Sequence, residues 1–169
     1  IILFVSDISR GMITAVRSYE AQTGKKYRIM LLQNKQRNHR FPLKKFPELD
    51  IYLEIDFSRS EDIERALLPY RKEIVAVTTR SESTMTDFIA VVPNVPYLYT
   101  PTTESLKWAS DKLQMRRRFM TYDKNITPRY ALVKDISDDE RARVIAKIGF
   151  PMVVKPTNLS QSLLVSVCY

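Results

Sequence analysis

The stretch that decides the fold is KIGFPMVVKPTNLSQS, Lys147 to Ser162. Pro151 to Lys155 predicts a short buried strand: apolar, β-branched, opened by Gly149 and closed by Pro156. A lysine at the end of such a strand is unusual, because burying an unpaired ammonium costs several kcal/mol. The loop that follows is small and polar (Thr157, Asn158, Ser160, Gln161, Ser162), and Leu163 to Cys168 predicts a returning strand. A strand ending in lysine, a small-residue loop and a returning strand suit the grip of a polyphosphate. The lysine supplies a point charge, and loop amides and hydroxyls supply hydrogen bonds.

Upstream, Ala109 to Arg116 reads ASDKLQMR, and Ile126-Thr127-Pro128 follows it. In this order, with Lys112 and Lys155 43 positions apart, the three segments resemble the opening of the ATP-grasp domain. The first matches that family's FP-x-V-V-K-P strand, the second its DK-x-x-x-R helix and the third its proline-containing entry. The resemblance implies a doubly wound parallel sheet (the pre-ATP-grasp, Rossmann-like domain, 1–100), a linking helix (101–125) and an incomplete ATP-grasp α+β subdomain (126–169). It also implies ATP as ligand, with Lys112, Lys155, Ser160, Gln161 and Ser162 on the phosphates. Mg2+ is implied too, with its ligands outside this stretch of chain. In the family, ATP phosphorylates a carboxylate to an acylphosphate that an amine or similar nucleophile then attacks. One departure stands out: the loop carries no glycine after Gly149, where the family has a glycine-rich loop whose backbone can approach phosphate closely.

Working outward, Ile1 to Val5 is a continuous apolar run and predicts a buried strand. Gly11 to Gln22 predicts a helix with Met12, Ala15, Val16 and Tyr19 on one face, stopped by Gly24. Tyr27–Leu32, Ile51–Ile55 and Glu73–Thr78 predict three more strands, and Tyr97–Tyr99 a short fifth. Ser58 or Ser60 caps a helix through Leu68, and 83–92 predicts another. Strands alternating with helices make a doubly wound α/β domain. Ser6 to Gly11, after the first strand, holds one glycine and is not a dinucleotide fingerprint. A phosphorelay receiver shares the architecture, and Asp7 and Asp56 fall in suitable places, but no lysine directly follows Tyr99.

Thr103 to about Phe119 predicts one helix with Trp108, Lys112, Met115 and Phe119 on a single face. On spacing alone, Lys112 reads either as a snorkelling lysine packed on Trp108 or as a functional charge. Tyr130–Val133 predicts a strand. Ser137 caps a helix running to Gly149, with Asp138, Asp139 and Glu140 at its positive end.

The net charge of +8 admits an anionic partner, but lysines and arginines spread over 25–45, 59–80 and 112–129 without interleaved aromatics. Nucleic acid is therefore the weaker reading. His39, the only histidine, reads as a solvated loop residue, since no cysteine or second histidine accompanies it. One cysteine, Cys168, fits a reducing, cytoplasmic setting, and no apolar run approaches the length of a membrane span. The first residues lack a basic leader, and the chain is expected to be cut at both ends, so that by itself it would not turn over. A noncatalytic α/β interaction module and a basic nucleic-acid-binding domain stay open as other readings. A homo-oligomer is also compatible with the sequence.

Overall fold

The computed structural model describes residues 1–37, 41–159 and 162–169. The chain divides into two compact units, Ile1–Leu106 and Lys107–Tyr169.

In the first unit, four apolar runs pair into one parallel sheet: β1 (Ile2–Val5), β2 (Ile29–Asn34), β3 (Ile51–Ile55) and β4 (Ala76–Thr78), in the order β3-β2-β1-β4. Leu3 sits opposite Met30 and Val77, and Leu31 opposite Tyr52. Successive strand residues point to opposite faces, and both faces are covered, as a parallel sheet requires. Phe4, Ile29 and Leu31 pack with Ile13 and Val16 of α1 (Arg10–Thr23). Leu3, Val5, Met30 and Leu32 pack with Ile63 and Leu67 of α2 (Ser60–Leu67) and with Phe88 and Val91 of α3 (Met85–Val91). The sheet is doubly wound, as the apolar runs predict.

The connections are held by side chains. Ser9 caps α1 by accepting from the Met12 amide, and Gly24 ends it at φ 70°, a left-handed value that glycine adopts without cost. Glu20 is buried on α1 and accepts from the Tyr27 amide at 2.6 Å and from Arg17 at 2.9 Å, which fixes the crossover into β2. The Tyr27 amide, and next the Arg17 charge, hold its carboxyl below the usual range against the opposing effect of burial. No fifth strand forms at Tyr97–Tyr99. A 3-10 turn at Val92–Asn94 leads instead into a turn closed by Leu98 N–H on the Val95 carbonyl at 3.0 Å.

The second unit holds the end of α4 (Thr103–Ser110), α5 (Lys112–Tyr122), α6 (Asp138–Ile148) and an antiparallel pair, β5 (Met152–Val154) with β6 (Ser166–Cys168). Four expectations need correction here. The single helix over 103–119 is two helices, because Asp111 leaves helical geometry (φ −111°, ψ 116°) and accepts from the Gln114 amide at 2.8 Å. Aspartate competes for its own backbone in this way and favours the N-cap over the helix interior. Lys112 therefore opens α5 rather than lying within a continuous stripe.

Tyr130–Val133 is extended but unpaired, since its polar backbone is met by α6 side chains rather than by a strand. Arg143 donates to the Leu132 carbonyl at 2.8 Å, and Glu140 accepts from the Lys134 amide at 2.9 Å. The returning strand shrinks to Ser166–Cys168 because Ser162 and Leu164 have φ of 57° and 54°, values no strand accommodates. Nor is Pro151 to Lys155 buried: Met152 alone is, while Val153 is 56% exposed and its cross-strand partner Val167 53%.

Glu140 makes this unit sensitive to acid. Its bond from Arg143, and next that from the Lys134 amide, hold its carboxyl at about 2, against an ordinary 4.5. A depressed carboxyl stabilises the fold above its unfolded value, and the benefit fades as pH falls from about 4.5 toward 2. Glu140→Gln should flatten the fall in thermal midpoint over that range, read as the melt of the Trp108 fluorescence. An equally steep fall in the variant would show that Glu140 does not carry the acid response.

Candidate functional site

Lys112 lies where α5 meets the loop after β5. Its backbone N–H donates to the Thr157 carbonyl at 2.8 Å, and its ammonium donates to the Leu159 carbonyl at 2.6 Å. Two bonds thus bring the amino end of α5 against Thr157–Leu159, across more than forty residues of chain. Lys155 directly follows β5 and precedes Thr157 by two residues, so those two backbone positions stand within about 7 Å along the chain. Lys155 is exposed, and among the described residues neither lysine has a carboxylate partner. The cost of a buried ammonium, expected from the sequence, does not arise for Lys155 at this strand end. Ser162 is exposed as well. Ser160, Gln161 and His39 lie outside the described residues.

Around this point, Asp111 is committed to its cap, Arg116 donates to the Thr127 hydroxyl at 3.2 Å, and Arg118 stacks over Trp108 at 4.4 Å. Trp108 thus has Arg118 as its cationic neighbour. What remains is the Lys112 ammonium at the amino end of α5, against a loop with hydroxyl and amide groups, and the exposed Lys155 where that loop begins. Such a set can hold an anion through charge-assisted bonds. Among the described residues no group of three or more His, Cys, Asp or Glu side chains is placed to hold a metal ion. A hollow of about 280 Å3 in the first unit is lined by Ser60, Glu64, Arg71, Asn94 and Tyr97 among others, and by none of the residues expected to bind phosphate.

Sequence reasoning missed a second polar cluster, at the carboxyl edge of the parallel sheet. Asp87, buried on α3, accepts from Asn34 at 2.9 Å and from Arg37 at 2.6 Å, and Arg37 also donates to the Ser83 carbonyl. Thr79 hydrogen-bonds the Val5 carbonyl and the Thr84 hydroxyl, and Arg80 pairs with Asp7 at 3.0 Å. The available signal was positional: polar residues directly follow β1, β2 and β4.

The sequence matches no family model and no curated protein. Solved structures do share its fold. The biotin carboxylase domain of the Hydrogenobacter thermophilus 2-oxoglutarate carboxylase, solved with MgADP and bicarbonate, superposes with a TM-score of 0.63 at 13% identity over 99% of this chain. The chain has the amino-terminal fold of the ATP-grasp enzymes. The N5-carboxyaminoimidazole ribonucleotide synthetase of Thermotoga maritima gives a TM-score of 0.57 at 18% identity over 99% of the chain. Phosphoribosylglycinamide synthetase from Anaerococcus prevotii gives 0.57 at 15% over 98%. The chain spans only 37%, 40% and 38% of those three structures respectively. Among the described residues no helix is long and apolar enough to cross a membrane.

Proposed function

We propose that this chain forms the phosphate-side part of an ATP-grasp ligase, in which ATP activates a carboxylate for attack by an amine or similar nucleophile. The observation that supports it is the closure of Lys112 onto the Thr157–Leu159 loop, together with the shared fold. In this reading Lys112 and Lys155 face the polyphosphate, with the loop from Thr157 to Ser162 contributing hydroxyl and amide donors. The carboxylate attacks the terminal phosphorus and ADP leaves; the nucleophile then attacks the acyl carbon of the acylphosphate and inorganic phosphate leaves. The task of these residues is to neutralise and position charge. The described residues do not assemble a carboxylate set for magnesium, so no step is assigned to it here.

The exposed apolar face of the second unit, including Phe150, Val153, Leu163, Leu164 and Val167, favours a second reading as a noncatalytic interaction module. Nucleotide titration separates the two. Each lysine is expected to contribute a charge-assisted contact of about 1.5–3 kcal/mol. Lys112→Met or Lys155→Met should therefore weaken ATP binding by about 10- to 100-fold in calorimetry, with little change in the thermal midpoint. Unchanged affinity in both variants would leave the lysines as ordinary surface side chains and favour the interaction module.

A further inference from the structure

The hollow of about 280 Å3 in the first unit is held between two walls that are fastened to each other at both ends. One wall is α2 with the 3-10 turn that continues it, Leu68–Tyr70. Ser60, Glu64, Leu67, Leu68 and Arg71 line that wall, at spacings of four, three, one and three that share one side of a helix. The opposite wall is the turn after α3, which contributes Pro93, Asn94, Pro96 and Tyr97. At one end the Ser60 hydroxyl donates to Asn94 Oδ1 at 3.2 Å, and Asn94 in turn donates to the Ala90 carbonyl at 3.0 Å. At the other end the Arg71 guanidinium lies over the Tyr97 ring, 5.4 Å from its centre, an attraction to the ring face that leaves the cation without a counter-charge. The two fastenings stand roughly 16 Å apart along the helix. Two prolines, each with φ fixed by its ring, stiffen the second wall. The hollow is therefore preformed, which lowers the ordering cost of binding.

The lining between the fastenings is apolar with two charges set in it. Leu67 is 2% exposed and joins the core, whereas Leu68 lines the hollow and is 60% exposed. Among the described residues, neither Glu64 nor Arg71 has an ion-pair partner. Their backbone positions are about 10 Å apart along the helix, a span that two long side chains can close upon a group between them. The volume of about 280 Å3 falls just below the roughly 300–1,000 Å3 of most small-molecule sites, so the ligand is small. A leucine and two prolines, an unpaired carboxylate and an unpaired guanidinium together complement an apolar body that carries one cation and one anion.

We infer that this hollow binds a small zwitterion with an aliphatic body, an aliphatic α-amino acid, with its ammonium on Glu64, its carboxylate on Arg71 and its side chain against Leu67, Leu68 and the two prolines. The inference does not depend on ATP binding by Lys112 and Lys155.

Three probes test it. Amide NMR of the full chain is titrated, at constant pH and ionic strength, with leucine, with isocaproate, which lacks the ammonium, and with isoamylamine, which lacks the carboxylate. Saturable shifts are expected at Glu64, Leu68, Arg71 and Asn94, with leucine binding on the order of 10-fold more tightly than either single-charge probe. Glu64→Gln should remove the advantage of leucine over isocaproate, and Arg71→Met its advantage over isoamylamine. Both side chains are exposed, so the thermal midpoint should move little. Leu68→Trp, which fills the hollow from an exposed position, should abolish all the shifts and keeps the test decisive if Arg71→Met loosens the walls. An absence of saturable shifts at these four residues would overturn the site. So would either single-charge probe binding as tightly as leucine, or leucine binding unchanged in the Glu64 and Arg71 variants. None of these outcomes bears on nucleotide binding in the second unit, which its own lysine variants test.

Discussion

Leu3→Ala should lower the stability of the first unit by about 2–5 kcal/mol, toward the upper part of that span. Leu3 is fully buried in β1, with strands hydrogen-bonded on both sides and α2 and α3 residues over its face. Its loss removes the transfer free energy of the side chain and leaves a cavity that a strand fixed on two sides cannot collapse to fill. The control is Val153→Ala, on the exposed strand β5, expected within about 0.5 kcal/mol of the parent. Trp108 lies in the second unit, so hydrogen exchange of the β1 and β2 amides is the suitable readout. A loss below about 1 kcal/mol would mean that this core is not packed as described.

Arg37→Met should cost about 3 kcal/mol. Asp87 is 7% exposed, and among the described residues Arg37 and Asn34 are its side-chain donors. Removing the guanidinium leaves a buried charge with Asn34 as its remaining side-chain donor among the described residues and takes a donor from the Ser83 carbonyl. Replacing both partners, as in Arg37→Met with Asp87→Leu, removes that orphaned charge and should recover most of the loss. Denaturant unfolding of the two variants side by side measures the difference. A double variant as unstable as the single would show that the loss comes from packing around Arg37 rather than from the stranded carboxylate.

The four parallel strands, the cap at Ser137 and the stop at Gly24 were legible in the sequence. Each is local: an unbroken apolar run bounded by polar residues, a serine ahead of acidic residues, a glycine after the last apolar turn. The same reasoning placed strands at Tyr97–Tyr99 and Tyr130–Val133, where none forms. A strand needs a partner, and here the backbone groups went to a local turn and to the side chains of Glu140 and Arg143. The long helix broke at Asp111 because a side-chain oxygen offered the Gln114 amide a bond outside the helix.

Of the candidate site, the residue types and their order could be read, but not their surroundings. Lys155 reads as buried from its apolar run, yet it is exposed directly after the first strand of a two-stranded sheet. By itself, the sequence determined a doubly wound parallel sheet, because that follows from short-range periodicity, whereas Lys112 and Lys155 were singled out as a pair through the resemblance of their motifs. Only the tertiary structure decided that Lys112 closes onto Leu159 and that Asp87 draws in Asn34 and Arg37. Those pairings join residues distant in the chain, and the strand register and helix ends that set them are fixed by packing rather than by any local propensity.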